Sequence, residues 1–455
     1  MLELGKKLRN LQKEGKYIKI ALAGTGQMGS GLISQLRELA GMQIVAVVNR
    51  NVNRLINTLK ELEIDDSEFM VVGAGCKLNS KNKNKNQIIL KDNKLDKEAV
   101  EVLNRLVCEK KIIVGDNLSM LFVLNDIDVI VDATGSPEAG AFIAWNAILN
   151  RKHIVTLNVE ADATVGPILK KMADDAGVVY TVSAGDEPAA LKELYNFADT
   201  LGLEIIAAGK GKNNPLDHYA NPATLKDYAE SKGSSPTMMT SFVDGTNSMV
   251  EMACLSNSTG LVPDCRGMHG PKADIKDLVN VFRLKSEGGI LSRKGVVDFA
   301  IGDAAPGVFL VYSTSNKMIR ADLKYLMLGE GPYYLLHKPY HLISIETPLS
   351  IALAYFYGEP TIAPDRGMVS EVITIAKKDL RAGDIIDGIG KYTVYGLIDE
   401  YAKAKKENLL PIGISEGCIL KKDIEKDQPI KYNDVQPARD SQVLELRRLQ
   451  DKLIG

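Results

Sequence analysis

The sequence predicts an α/β protein of more than one domain, on three observations. Short β-branched runs alternate with helix-period stretches from residue 17 to about residue 210. A Gly-x-Gly-x-x-Gly run, Gly24, Gly26 and Gly29, sits between one such strand and the helical stretch that follows. From about Gly367 the alternation gives way to short strands and an imperfect repeat, "KKDLRAGDII" and "KKDIEKDQPI". At 455 residues the chain exceeds one ordinary core. The expected boundaries are 1–155 for a dinucleotide-type sheet, 156–365 for a mixed α+β domain, and 366–455 for a small β domain closed by a charged helix.

The first element is "YIKIALAGTGQMGSGLISQL", in which an alternating run ends at Gly24 and a helical stretch begins near Ser30. A glycine motif alone is weak evidence. Here a second strand, "QIVAVVNR", arrives about 20 residues later, which is the context a dinucleotide site needs. The first glycine permits a tight turn, the second lets backbone approach a pyrophosphate, and the third lets helix and strand pack closely. The expected cofactor contacts are Gly24, Gly26, Gln27, Met28 and Gly29, with Thr134 and Gly135 from "VDATGSPEAG". At the end of the second strand stand Asn49, Arg50 and Asn51, with Arg54 one turn on, and no carboxylate. An acid there suits the ribose hydroxyl of NAD and an arginine suits a 2′-phosphate, so NADP is expected over NAD. Arg50 also reads as an ordinary solvated residue.

Between these strands and "IDVIVDATG" lies an insertion near 63–118. It contains the Lys/Asn-rich "CKLNSKNKNKNQIILKDNK", read as a solvated, mobile loop without function. The composition excludes other classes. Fifty-six basic and 58 acidic residues leave a net charge of -2, so no global field steers the chain to nucleic acid or membrane. There is no basic stripe with interleaved aromatics and no span-length apolar stretch. The polar start is unlike a signal peptide. Five scattered cysteines, Cys76, Cys108, Cys254, Cys265 and Cys418, without CxxC suit reduced thiols. A cytoplasmic protein is expected.

The middle of the chain carries the chemistry. Strands are expected at about 154–159, 178–182 and 203–208, and helices at 164–175 and 187–201. In "AAGKGKNN", Lys210 and Lys212 stand two apart on a strand and so share a face. Two ammonium groups side by side need either water at a strand end or an anionic ligand between them. In "SAGDEPAA", Asp186 and Glu187 precede a helix, and capping is the favoured reading over a substrate role. A helical stretch near 249–255 follows Asp244, Thr246 and Asn247, and Asn247 and Glu251 face each other at i, i+4. The runs "VVDFAIG" and "GVFLVYST" read as an antiparallel hairpin. His218, His269, His337 and His341 all fall in polar, glycine- or proline-flanked stretches, which suggests a shared site. The expected catalytic set is Lys210, Lys212, Asn247, Glu251, His269, Lys338, His341 and Glu346. The lysines suit an anion or a polarised carbonyl, and Glu251 or Glu346 suits a general base or a divalent ion. No HExxH, no GxSxG and no Cys/His dyad is evident, which argues against zinc proteases and serine hydrolases.

With these residues in view, the chain resembles homoserine-dehydrogenase-like NAD(P) oxidoreductases that carry a C-terminal SAF domain. This is the group that includes 1-deoxy-D-xylulose 5-phosphate reductoisomerase-like enzymes. The carrying stretches are "GTGQMGSG", "AAGKGKNN", "DGTNSMVEMA", "TGLVPDCRGMHGP", "KPYHLISIETPLS" and the "KKDLRAGD" repeat. The resemblance implies a Rossmann domain, a mixed catalytic domain, a SAF module and a homodimer. Homoserine dehydrogenase itself looks different after the nicotinamide loop, where its TxNK lysine is replaced here by Val159 of "TLNV".

Three functions follow from this reading. The leading one is an NADP-dependent oxidoreductase, in its fullest form a reductoisomerase, acting on a small anionic polyhydroxy substrate such as a sugar phosphate or sugar acid. The second is simple dehydrogenation of homoserine or a similar acid, which needs no divalent metal. The third is a non-catalytic NADP-binding sensor.

Overall fold

The run before the glycine loop is the middle strand of a parallel sheet. In the computed structural model, which describes residues 3–73, 87–89, 95–438 and 441–454, this sheet has eight strands. They are β1 (Ile18–Ala23), β2 (Met42–Val48), β3 (Phe69–Gly73), β4 (Gln87–Ile89), β5 (Ile112–Gly115), β6 (Val129–Asp132), β7 (His153–Thr156) and β8 (Tyr180–Val182). Their order is β4-β3-β5-β2-β1-β6-β7-β8. The chain leaves β1 toward β2 and later returns to the other flank through β6, so the carboxyl ends of β1 and β6 frame a topological switch point. Strand β1 is apolar almost throughout because both faces are covered. Ile18, Ile20 and Leu22 pack in one core with Leu32, Ile33 and Leu36 of the Gln27–Arg37 helix. Each such side chain contributes about 1.5–3 kcal/mol by leaving water.

Two compact units divide the chain, each drawn from separate stretches. The first comprises Met1–Asn158, Leu169–Gly185 and Leu342–Thr361; the second comprises Val159–Ile168, Asp186–His341 and Ile362–Gly455. The flanks of the Lys/Asn-rich stretch are elements of the first unit's sheet, with β3 before it and the Lys97–Cys108 helix and β5 after it. The stretch itself, Cys76 included, lies outside the described residues apart from β4. Among the described residues, no helix is long and apolar enough to cross a membrane.

The second unit is built on a mixed sheet of β9 (Glu204–Lys212), β10 (Val262–Pro263), β11 (Val296–Ile301), β12 (Val308–Ser313) and β13 (Tyr333–Lys338). Its order is β10-β11-β9-β12-β13. The expected hairpin of β11 with β12 is therefore wrong. Strand β9 lies between them, parallel to β11 and antiparallel to β12. Gly209 and Gly211 make this insertion feasible. A Cβ on Gly209 would stand 2.5 Å from the Asp298 carbonyl oxygen, and one on Gly211 only 2.1 Å from the Ala305 nitrogen.

The tail also belongs to the second unit and holds β14 (Ser370–Ala376), β15 (Val394–Glu400), β16 (Ile419–Leu420) and β17 (Val435–Gln436). Its sequence repeat is a reciprocal contact. Leu380 and Ile424 exchange backbone hydrogen bonds, each 2.9 Å. Asp423 Oδ1 accepts from the Ala382 N–H at 2.8 Å, and Asp379 Oδ1 accepts from the Lys426 N–H at 2.8 Å. The same residue type makes the same bond in each half, which is why the two segments resemble one another.

The glycine loop yields a direct test. A Cβ on Gly29 would lie 2.1 Å from the Gly24 carbonyl oxygen, whereas one on Gly26 meets nothing within 4 Å. Gly29→Ala is expected to destabilise the first unit by at least about 3 kcal/mol, and Gly26→Ala by no more than about 0.5 kcal/mol. The single tryptophan, Trp145 on the Pro137–Leu149 helix, lies in this unit, so denaturant titration followed by its fluorescence reads both variants.

Candidate active site

Strand β9 carries Lys210 and Lys212 on one face, and Gly209 and Gly211 on the other. Both lysines are buried, at 6% and 5% exposure, so solvation at a strand end does not account for them. Lys210 donates to Glu187 Oε1 at 2.6 Å and also to Glu251 Oε2. Glu187 opens the Glu187–Thr200 helix, and Glu251 lies in the second turn of the Thr246–Thr259 helix. Asn247, one turn before Glu251, donates from Nδ2 to Glu251 Oε1 at 2.6 Å, as the i, i+4 spacing predicts. Asp186 does cap its helix, accepting from the Glu187 N–H at 2.9 Å. It also belongs with the acids, since one oxygen from each of Asp186, Glu187 and Glu251 falls within 4.8 Å of the others. Capping and site are the same residues here.

Three buried carboxylates around one ammonium cannot all be ionised at little cost. Burial alone would raise Glu187, but Lys210 and then His341 hold it well below the usual carboxylate range. Burial and the neighbouring Glu187 push Glu251 up to about 8, against the pull of Lys210. Asp186 is raised too, by burial and by repulsion from Glu187 and Glu251. Burial would lower Lys210, but its two carboxylates carry it above the usual lysine range. Lys212 has no such support. Its Nζ donates to the Phe242 carbonyl, and burial together with the charge on Lys210 lowers it to about 8.

The remaining expected residues are dispersed. His341 Nε2 stands 3.4 Å from Glu187 Oε1, with Nδ1 against the Pro306 carbonyl at 2.5 Å, so this histidine joins the cluster. Lys338 sits in the same sheet row as Lys210, since Val308 pairs with both, and its Nζ reaches Glu193 at 3.0 Å. Glu346 belongs to the first unit, where it accepts from the Leu342 N–H at 3.1 Å. His269 is held elsewhere: Nε2 bonds Asp264 at 2.8 Å, and its N–H reaches Asp298. His218 donates to the Asp244 carbonyl at 2.7 Å. His218, His269 and His341 are thus held by separate partners, and His337 Nε2 is buried without a hydrogen bond among the described residues, so the four histidines are not gathered in one site. A Cys/His approach that the sequence did not disclose is present, with Cys265 Sγ 3.8 Å from His269 Nδ1. Burial and the nearby Asp298 and Asp264 raise that thiol, so it is held protonated.

In the first unit the expected cofactor residues lie on the segments that follow β1, β2 and β6. Gly24 has φ +95°, and a Cβ there would lie 2.5 Å from the Ala133 carbonyl oxygen, which brings the β1 loop against the start of the Thr134–Gly135 loop. Thr134 is pinned to the buried Asp132 by its N–H at 2.9 Å and its hydroxyl at 2.6 Å. Gln27 and Met28 open the Gln27–Arg37 helix, whose N-cap Gly26 offers no side-chain acceptor. Asn49 and the exposed Arg50 follow β2, and Asn51 caps the next helix by accepting from the Arg54 N–H at 3.0 Å. Val159 opens a helix as a buried apolar residue, so nothing ionisable stands where a lysine was sought.

Two outcomes are expected from this electrostatics. Lys210→Met leaves Glu187 and Glu251 buried without their cation, which destabilises the second unit by about 3–5 kcal/mol. Amide hydrogen exchange resolved along that unit measures it. In competitive acetylation across pH, Lys212 is expected to react with a midpoint near 8, while Lys210 stays protected beyond pH 10. A Lys212 midpoint near the ordinary lysine value contradicts the burial argument.

Comparison with known proteins bears mainly on this unit. Residues 185–347 match the family model described as oxidoreductase DRL, catalytic domain. A search of curated proteins finds no match. Among solved structures, the chain is similar to 1-deoxy-D-xylulose 5-phosphate reductoisomerase from Zymomonas mobilis in complex with NADPH. Identity is 17%, the TM-score is 0.33, and coverage is 53% of this chain and 58% of that one. It is similar also to dipicolinate-bound dihydrodipicolinate reductase from Paenisporosarcina sp. TG-14, at 13% identity and TM-score 0.33, covering 76% and 97% of the two chains. A DOX-P reductoisomerase in complex with magnesium matches at 15% identity and TM-score 0.37, covering 76% and 70%. At these scores the structural likenesses bear on neither substrate nor ligand. The matched oxidoreductase catalytic domain, in a chain that also carries a glycine-loop sheet of dinucleotide-binding topology, supports an NAD(P)-dependent oxidoreductase.

Proposed function

We propose that the protein is an NADP-dependent oxidoreductase of the reductoisomerase type, acting on a small anionic polyhydroxy substrate with a divalent ion at Asp186, Glu187 and Glu251. The observation that carries this reading is the buried cluster of three carboxylates, of which Lys210 pairs with Glu187 and Glu251 and His341 approaches Glu187. The donor set fits the ion: three hard carboxylates suit magnesium or manganese. So does the charge, because burial and mutual repulsion raise Asp186 and Glu251, and a dication would offset both. When bound, such an ion supplies positive charge beside the oxygen functions of the substrate.

The chain's own residues supply the rest. Lys210 fixes Glu187 and Glu251 relative to one another, and Asn247 sets the rotation of the Glu251 carboxylate. Lys212, with a pKa near 8 and a neutral carbonyl as its partner, holds a proton at Nζ that can be given to or taken from a substrate oxygen near neutral pH. In its protonated form it also attracts a phosphate or carboxylate. The anion clamp first read from two lysines therefore narrows to Lys212, since Lys210 is committed to its carboxylates. The absence of an acid after β2, with Arg50 and Arg54 exposed there, favours NADP over NAD. A homodimer belongs to the same proposal, and sedimentation at twice the chain mass is the expected result.

NADPH absorbance tests the reading, with 1-deoxy-D-xylulose 5-phosphate heading a panel of sugar phosphates, sugar acids and homoserine, with and without manganese. Metal-dependent loss of NADPH with a phosphorylated ketose or sugar acid is expected, and Glu251→Gln is expected to lower that rate at least about 100-fold. Metal-independent turnover of homoserine points to the simple dehydrogenase. NADPH binding without turnover of any member points to the sensor.

A further inference from the structure

The geometry of the carboxylate cluster depends on where the Thr246–Thr259 helix begins, and that start is fixed by a residue of the tail. Asp244 is fully buried just ahead of the helix. Its Oδ1 accepts the Thr246 N–H at 2.9 Å, and its carbonyl accepts from His218 at 2.7 Å. Its Oδ2 receives Lys377 Nζ at 2.9 Å. Lys377 is itself buried, at 4% exposure. Its other bonds go to the Ala220 carbonyl at 2.8 Å and the Lys391 carbonyl at 3.0 Å. Three protons meet three acceptors, so the ammonium is saturated and has one placement.

The sequence repeat makes this more telling. Lys377 is the first lysine of "KKDLRAGD", and Lys421 is its counterpart in "KKDIEKDQ". Lys421 is exposed, whereas Lys377 is buried on the segment that touches the helix. A solvated lysine in one half and a saturated one in the other is not what the fold of the repeat alone requires. A second tie from the same module runs beside it. The Gly396 N–H donates to Thr246 Oγ1 at 2.9 Å, and the Tyr395 ring stacks on His218 with centroids 4.6 Å apart.

We propose that Lys377 is a positioning residue for the carboxylate cluster, and that the tail module serves the active site by clamping the first turn of its central helix. This rests on reading the cluster as the metal site. The path is short: Lys377 to Asp244, Asp244 to the Thr246 N–H, then Asn247, whose amide holds Glu251. Residues that orient metal ligands in this way typically affect affinity by 10- to 100-fold.

Manganese alone is the probe, with free ion counted by electron paramagnetic resonance in wild type, Lys377→Met and the double variant Lys377→Met/Asp244→Asn. The double variant removes both buried charges and guards against a chain that simply fails to fold. Lys377→Met is expected to bind manganese 10- to 100-fold more weakly and to exchange the amides of residues 246–250 faster. In the double variant, thermal stability is expected to return toward wild type while manganese affinity stays at least 10-fold weaker. Affinity equal to wild type in either variant, or affinity that recovers together with stability, overturns the positioning role and leaves the metal reading intact. No manganese binding by wild type defeats the metal reading, and the positioning role with it.

Discussion

The buried ion pairs of Lys210 with Glu187 and Glu251 organise the second unit. They join a strand to two helices, and none of the three side chains is tolerable there without the others. Much of the surrounding sequence serves this arrangement. Gly209 and Gly211 let β9 lie between β11 and β12, which directs the lysines toward the helices. Asp186 starts one helix, Asp244 starts the other, and Asn247 orients the glutamate between them. A cluster of this kind is poor stabilising material, because apolar residues of equal volume would hold the fold as well.

The same physics separates the two lysines that look equivalent in sequence. Lys210 has two carboxylates and is locked in its charged form. Lys212, two residues on, has a backbone carbonyl and a repelling neighbour, and is lowered to about 8. One stabilises the site and the other is free to exchange a proton. The division of labour arises from partners, not residue type.

Local constraints were legible in the sequence, and long-range ones were not. The glycine loop could be read because each glycine answers a steric demand within a few residues, as Gly29 against Gly24 shows. Lys210 with Lys212 and Asn247 with Glu251 could be read because strand and helix periods place them. The β11–β12 hairpin was misread because a strand from 90 residues earlier comes between the two, which no local pattern reports. Asp186 and Glu187 were seen, yet their capping role hid the second one, which depends on Lys210 and Glu251 arriving from elsewhere. Lys377 is invisible for a sharper reason: its repeat partner Lys421 is followed by the same Lys-Asp pair and has the opposite environment.

The proposed metal site is a carboxylate cluster that exchanges protons for a dication. Calorimetric titration of manganese at pH 7, run in two buffers of different ionisation heat, tests it most directly, because the difference in heat counts protons released on binding. With Asp186 raised and Glu251 near 8, at least one proton per ion should leave as the metal enters. Binding without proton release, or no binding at all, would contradict the account.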